Sequence, residues 1–133
     1  MAAGGCQCGA VRYEVSGSMD DVALCHCRMC QRAHGAPAVS WLVVRRSELR
    51  IVRGVPGQYR SSAKAVREFC GNCGTPLFFI EDSRPDEVDV AVSTLDDPIA
   101  VPPSRHIWLE SQMPWLKLDD HLPRYLRETP GSA

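Results

Sequence analysis

Seven cysteines, grouped in three short clusters, constrain this chain more than any other feature of its sequence. The clusters are residues 6–8 (CQC), 25–30 (CHCRMC) and 70–73 (CGNC). An odd number of cysteines without a secretion signal argues against a disulfide framework. Thiolates at C-x-C and C-x-x-C spacing can instead bind one tetrahedral metal ion together, with Zn–S distances of about 2.3 Å. Because thiolate is a soft ligand, these clusters favour zinc or iron–sulfur over calcium or magnesium.

The spacing leaves open how the seven ligands divide between two ions. One partition forms a closed four-thiolate site from Cys6, Cys8, Cys70 and Cys73. It leaves an open three-thiolate site made of Cys25, Cys27 and Cys30, and three protein ligands plus water or substrate are typical of a catalytic zinc. The other partition forms a zinc ribbon from Cys27, Cys30, Cys70 and Cys73. A further hypothesis completes the second site with a histidine, chosen from His26, His34, His106 and His121.

The length of the chain fits one domain, and its net charge argues against nucleic-acid binding. The 133 residues fit a single domain, assigned here as 1–133 with a core at about 5–125 and a flexible tail at 129–133. Lys and Arg number 15 and Asp and Glu 16, giving a net charge of −1, whereas nucleic-acid binding usually needs a basic excess. No apolar run approaches the ~20 residues of a membrane span, and the N-terminus has no signal-peptide pattern. We therefore expect a cytoplasmic protein with reduced thiols, no nucleic-acid partner and no membrane contact.

Strand patterns outnumber helix patterns along the chain. Val11, Tyr13 and Val15 alternate with polar residues, which predicts a half-buried strand. The apolar run at 38–44 predicts a buried strand. Further strands are predicted at 49–52, 58–60, 66–69, 77–80 and 88–92, with a turn at 54–57 and a knuckle hairpin around 70–74. The only helix candidates are 28–34 and 122–127, so we expect a mostly-β domain of short antiparallel strands.

The residues around the cysteines resemble a known family. The matching segments are 5–13 (GCQCGAVRY), 25–32 (CHCRMCQR), 35–37 (GAP), 67–77 (REFCGNCGTPL), 95–98 (LDDP), 106–108 (HIW) and 114–115 (PW). In this order they resemble the glutathione-dependent formaldehyde-activating enzyme (GFA) family, also called the CENP-V/GFA domain. The resemblance covers residues of about 5–125.

The resemblance implies a fold, two zinc ions and an activity. The fold is a single-domain, Mss4-like, zinc-binding fold. The implied structural zinc ligands are Cys6, Cys8, Cys70 and Cys73. The implied catalytic set is Cys25, Cys27 and Cys30. The implied activity is that of a carbon–sulfur lyase resembling S-hydroxymethylglutathione synthase, with a small thiol such as glutathione and a small aldehyde such as formaldehyde as partners.

Residues outside the clusters supply candidates for the remaining chemistry. His34 lies four residues after Cys30 and is our candidate for supplying a proton to the adduct oxygen, with a turn histidine as the alternative. Arg67 is the candidate for holding a substrate carboxylate, with an exposed strand arginine as the alternative. Trp108 and Trp115 are interpreted as core residues, with residues that line a pocket as the alternative. The competing function is a non-catalytic zinc-binding module for a protein partner, which a fourth protein ligand at the second zinc would favour.

Overall fold

The computed structural model describes residues 1–131, and these fold mainly into β-strands. The strands are β1 (Ala2–Gly5), β2 (Arg12–Val15), β3 (Val22–Cys25), β4 (Val39–Arg45), β5 (Leu49–Arg53), β6 (Gly57–Ser62), β7 (Ala65–Phe69), β8 (Pro76–Glu81), β9 (Glu87–Ala91) and β10 (Arg105–Ile107). One α-helix, α1, spans Arg28–His34. Four single-turn 3-10 helices cover Arg46–Glu48, Val92–Thr94, Pro98–Ala100 and Leu109–Ser111. The expectation of a mostly-β fold is confirmed.

The strands form two sheets. A three-stranded antiparallel sheet has the order β1-β2-β5, and a seven-stranded sheet has the order β10-β3-β4-β9-β8-β7-β6. All pairs in the larger sheet are antiparallel except β10 with β3, which is parallel. Strand β5 therefore belongs to the small sheet and β6 to the large one, although a bend of only three residues joins them.

The main core lies between the two sheets, and the alternation in β2 builds one side of it. Tyr13 and Val15 are fully buried, while Arg12 and Glu14 are only partly buried. The Tyr13 ring packs edge-on against Phe78 at a centroid distance of 5.1 Å. The Tyr13 hydroxyl lies 2.6 Å from Thr94 Oγ1, so the polar end of this buried ring is hydrogen-bonded.

Most predicted elements are present, and one is wrong. The predicted helix at 28–34 is confirmed as α1. The segment 122–127 is not a helix, because Arg124 forms a parallel bridge with His106 and extends the edge of the large sheet. Trp115 is also not a core residue, since it is 66% exposed. Strands β1, β3 and β10 were not predicted.

Two further expectations concern the C-terminal tail and membrane-spanning segments. Within the predicted tail 129–133, Thr129 Oγ1 accepts a hydrogen bond of 2.7 Å from Arg105 Nε, and residues 132 and 133 lie outside the described residues. Throughout residues 1–131, no helix combines the length and the apolar character that crossing a membrane requires.

The packing of Phe78 gives a direct test of the core. We expect Phe78→Ala to lower the free energy of unfolding by about 3–5 kcal/mol, because it leaves a cavity against Tyr13. Urea denaturation of metal-loaded protein measures this difference. Tyr59→Ala is the control, since Tyr59 lies on β6 of the same sheet and is 64% exposed. Similar losses in the two variants would contradict this description of the core.

Candidate metal centres

The first cysteine cluster is formed by two turns that are far apart in the sequence. Cys6 and Cys8 lie in the turn between β1 and β2, and Cys70 and Cys73 lie in the turn between β7 and β8. Their four Sγ atoms all lie within 4.8 Å of one another. The Cys6–Cys8 and Cys8–Cys70 sulfur distances are 3.7 and 3.8 Å. A tetrahedral ion at Zn–S distances of about 2.3 Å requires sulfur separations of about 3.8 Å, so the geometry fits a metal ion.

Polar N–H groups point at these sulfur atoms. The Val11 backbone N–H donates to Cys6 Sγ at 3.2 Å, and the Asn72 backbone N–H donates to Cys70 Sγ at 3.4 Å. The Asn72 side-chain amide donates to Cys8 Sγ at 3.2 Å. Such hydrogen bonds favour the charged thiolate over the thiol, and the thiolate is the form that binds metal.

The second cluster is local and surrounds the start of α1. Cys25 ends β3, Cys27 is the N-cap residue of α1, and Cys30 lies within that helix. The three Sγ atoms lie within 4.8 Å of one another, and the Cys25–Cys30 distance is 3.7 Å. Cys27 Sγ accepts a hydrogen bond of 3.3 Å from the Cys30 backbone N–H. Cys25 and Cys30 are buried, whereas Cys27 is half-exposed.

The structure therefore groups the cysteines as in the first partition and not as in the zinc ribbon. Among residues 1–131, no histidine or carboxylate atom lies within the same distance of all three sulfur atoms of the second cluster. His26 instead pairs with His106, and the His34 ring packs edge-on against Trp41 at 5.1 Å. In the described part of the chain this cluster thus has three sulfur atoms that could bind a metal ion and no fourth protein donor within the same distance.

Arg67 connects the second cluster to a groove. Its Nη2 donates to Cys30 Sγ at 3.5 Å, and its guanidinium stacks on Phe79 at 4.7 Å from the ring centroid. The sulfur contacts with Cys25 and Cys27, together with the charge of Arg67, lower the pKa of Cys30. Arg67 Nη1 is buried and has no hydrogen-bond partner among the described residues. The exposed-arginine interpretation of Arg67 is therefore wrong.

The groove beside Arg67 has a volume of about 590 Å³. Met29 and His34 of α1 line one side, and Tyr59 and Ser61 of β6 line the other. Ser61 Oγ is buried and, like Arg67 Nη1, has no hydrogen-bond partner in the described part of the chain. Two residues that line the groove thus each carry one buried, unpaired polar group, a guanidinium N–H in Arg67 and a hydroxyl in Ser61.

His34 lines this groove. It also lines a second groove of about 640 Å³, together with Cys6 of the first cluster and the nearby Thr75. Burial lowers the pKa of His34, so its imidazole is neutral at pH 7. Trp108 and Trp115 line neither groove.

Two polar residues around the second cluster, Gln31 and Asp120, were not assigned a role from the sequence, and His106 was considered only as a fourth metal ligand. Gln31 is buried, and its Nε2 donates to the carbonyl oxygen of His26 at 2.8 Å. His106 is also buried and lies between His26 and Asp120. The HIW motif marks His106 in the sequence, but its partners are distant in the chain and no local pattern points to them.

The chain matches a known protein family over most of its length. A profile of the glutathione-dependent formaldehyde-activating enzyme family matches residues 1–111. The chain belongs to this family. The resemblance found in its cysteine motifs is thereby confirmed, and the match includes all seven cysteines.

Individual relatives of this GFA-family chain include two curated proteins. A Halomonas elongata protein named "Putative glutathione-dependent formaldehyde-activating enzyme" is 26% identical over 125 residues, covering 87% of this chain and 80% of that protein. An uncharacterized lyase of Schizosaccharomyces pombe is 32% identical over 76 residues, which is 57% of this chain and 55% of the relative. This chain thus matches about half the length of the yeast protein.

A solved structure shares the fold. A crystal structure of a Rhodobacter sphaeroides protein superimposes with a TM-score of 0.61 at 33% identity. The match covers 71% of this chain and 87% of that chain.

The two clusters should support the fold to different degrees. An ion bound between Cys8 and Cys70 closes a loop between positions 62 residues apart, whereas the second cluster spans six consecutive residues. Since metal binding of this kind contributes folding free energy, we expect Cys70→Ser to abolish or severely weaken the folded state. Cys30→Ser should leave a folded chain that has lost one metal ion.

Thermal melts and elemental analysis of metal-supplemented, reduced protein measure both effects. Cys27→Ser serves as a second variant of the local cluster and should behave like Cys30→Ser. Equal loss of melting temperature in the Cys70 and Cys30 variants would contradict the assignment of the first cluster as the structural one.

Proposed function

We propose that this chain is a zinc-dependent carbon–sulfur lyase that acts on the adduct of a small thiol and a small aldehyde. Glutathione and formaldehyde are the proposed pair, since the family and one relative are named for them. In this proposal the chain binds two Zn²⁺ ions. The structural ion is held by Cys6, Cys8, Cys70 and Cys73. The catalytic ion is held by Cys25, Cys27 and Cys30.

The observation that carries the proposal is a three-cysteine cluster without a fourth protein ligand among residues 1–131. This donor set fits zinc, because four soft ligands in a tetrahedron are its usual environment and three protein ligands leave a place for substrate. When bound there, zinc would lower the pKa of an incoming thiol, so that its sulfur is held as thiolate at neutral pH. A closed module for a protein partner would instead need a fourth ligand from the chain.

Arg67 and Ser61 are proposed to bind a carboxylate of the thiol substrate. Nη2 of Arg67 donates to Cys30 Sγ, whereas Nη1 is buried and has no hydrogen-bond partner within the described part of the chain. In this proposal the carboxylate accepts hydrogen bonds from this N–H and from the Ser61 hydroxyl, since both residues line the same groove and both groups are unpaired among the described residues. Because buried donors are costly when unpaired, a substrate that pairs them gains affinity over one that does not.

His34 is proposed to move the proton of the reaction. When a thiol adds to an aldehyde, a C–S bond forms, the carbonyl π electrons move to oxygen, and the thiol proton finally resides on that oxygen. The reverse reaction returns the proton and breaks the C–S bond. A neutral imidazole can accept a proton at one nitrogen and donate from the other, and His34 is neutral and lines the groove.

Cobalt substitution tests whether the second cluster accepts a thiol. We expect two metal ions per chain, and thiolate-to-cobalt absorption bands that change when millimolar glutathione is added, since an added sulfur ligand alters the coordination. Cys30→Ser is the matched control and should lose the thiol-dependent change while keeping the bands of the first site. Unchanged bands in the wild-type protein with glutathione, cysteine and other small thiols would favour the zinc-module hypothesis over the lyase.

A comparison of two thiols tests the role of Arg67. We expect Arg67→Gln to raise KM for 3-mercaptopropionate about tenfold or more relative to 2-mercaptoethanol, because only the first carries a carboxylate, and a hydrogen bond to a charged group contributes about 1.5–3 kcal/mol. Formaldehyde exchange measured at low thiol concentration gives both values. The ratio between the two thiols cancels any effect of the variant on Cys30. An unchanged ratio would contradict carboxylate binding by Arg67.

A further inference from the structure

Two buried imidazoles lie next to the second cysteine cluster, and a chain of hydrogen bonds connects them to a carboxylate at the surface. His26, between Cys25 and Cys27, is fully buried, and so is His106 of β10. His26 Nε2 lies 3.1 Å from His106 Nδ1, and His106 Nε2 lies 2.7 Å from Asp120 Oδ2. The side chain of Asp120 is 38% exposed. The three groups thus form one chain of hydrogen bonds from the surface to the ligand turn.

The chemistry of the three groups sets the direction of these bonds. An ionised carboxylate only accepts, so His106 must donate to Asp120 from Nε2–H. Hydrogen bonds from the Leu122 backbone N–H and from His106 lower the pKa of Asp120, which keeps it ionised. An imidazole that donates from Nε2 and carries one proton accepts at Nδ1, so in the proposed arrangement His26 donates to His106 Nδ1 from Nε2–H. This arrangement makes both histidines Nε2–H tautomers.

Backbone contacts of His26 join the same part of the chain. Its N–H donates to the Ile107 carbonyl oxygen at 3.0 Å, and its own carbonyl accepts from Gln31 Nε2 at 2.8 Å. Gln31 Nε2 also donates to the Ser111 carbonyl oxygen at 3.0 Å. His26, which lies between two proposed ligands, is thus hydrogen-bonded through both its side chain and its main chain to residues beyond 105, directly or through Gln31. These bonds limit how Cys25 and Cys27 can be oriented.

We propose that Asp120 and His106 are positioning residues for the second metal site. Asp120 fixes the tautomer of His106, which fixes the ring of His26, and this holds the turn from Cys25 to Cys27 with both sulfur atoms directed at one ion. Residues that hydrogen-bond behind a metal site typically contribute 10–100-fold to metal affinity. The inference rests on the proposed function in one respect, namely that Cys25, Cys27 and Cys30 bind metal.

Asp120→Asn is the informative variant because it changes little else. Asparagine has nearly the same shape and keeps an oxygen for the Leu122 N–H, which donates to Asp120 Oδ1 at 3.1 Å. Its NH₂ group then faces His106 Nε2, where the wild-type chain has an acceptor. Asp119→Asn is the matched control, since Asp119 is the exposed neighbouring carboxylate and makes the same change in net charge. Asp120→Ala removes the acceptor altogether and guards against rotation of the amide.

The first measurement is metal affinity at each site in otherwise wild-type full-length protein. Competition of a chromophoric chelator for Co²⁺ should show a loss of about tenfold or more at the second site in Asp120→Asn and Asp120→Ala. The first site of both variants, and both sites of Asp119→Asn, should keep wild-type affinity. The cobalt absorption bands of the second site should also shift in the two Asp120 variants alone.

The second measurement reads the hydrogen bonds directly. Long-range ¹H–¹⁵N spectra of the imidazoles in zinc-loaded protein should show His26 and His106 as Nε2–H tautomers in the wild type and in Asp119→Asn. This pattern should change in the Asp120 variants. A doubly protonated His106, or an Nδ1–H tautomer at either ring in the wild type, would overturn the proposed chain.

The outcomes separate this inference from the proposed function. A wild-type protein that binds only one metal ion overturns the two-site proposal itself, and the positioning role with it. Two ions with equal second-site affinity in all variants overturn only the positioning role. An equal loss at both sites, accompanied by a lower melting temperature, would mean that Asp120 supports the fold in general and would also overturn it.

Discussion

The cluster of Cys6, Cys8, Cys70 and Cys73 joins turns from two different sheets, and the rest of the architecture depends on this junction. The first turn belongs to the three-stranded sheet and the second to the seven-stranded sheet. Cys6 and Cys70 are buried in the core between the sheets. An ion held by four thiolates at this place would fix the distance between the sheets, and its binding free energy would become folding free energy. Thr75 reinforces the junction, since its hydroxyl contacts both Gln7 N–H and Cys73 Sγ.

The second cluster depends on the same sheets in a different way. Its three cysteines are almost consecutive, so chelation itself orders little distant chain. Its orientation comes from strand β3, which lies between β4 and the parallel strand β10. Residues from 105 onward therefore help to hold the second cluster in place, although its proposed ligands all lie before residue 31. A local chelate on a widely supported turn is suited to exchange a ligand without loss of the fold.

Charge is balanced differently at the two clusters. Backbone and amide N–H groups surround the sulfur atoms of the first cluster. At the second cluster a full positive charge, Arg67, contacts Cys30 and also faces the groove. The groove and the cluster therefore share one cation, so an anionic substrate bound in the groove lies near the cysteine sulfur atoms. His34 adds a neutral, partly buried imidazole to the lining of the same groove.

The sequence by itself determined the cysteines that can chelate a metal, because C-x-C and C-x-x-C spacings bring sulfur atoms together within a single turn. It also determined β2 and β4, because alternation and a β-branched run act within a few residues. It did not determine the partition, since Cys70 and Cys73 can pair with either of two other clusters. Only the tertiary structure decided this, by placing the β7–β8 turn against the β1–β2 turn. The same reason applies to β10, which is three residues long and exists through its pairing with β3, and to His26 and His106, which are 80 positions apart. Local spacing limits what a short segment can bind, whereas the meeting of distant segments depends on the packing of the whole core.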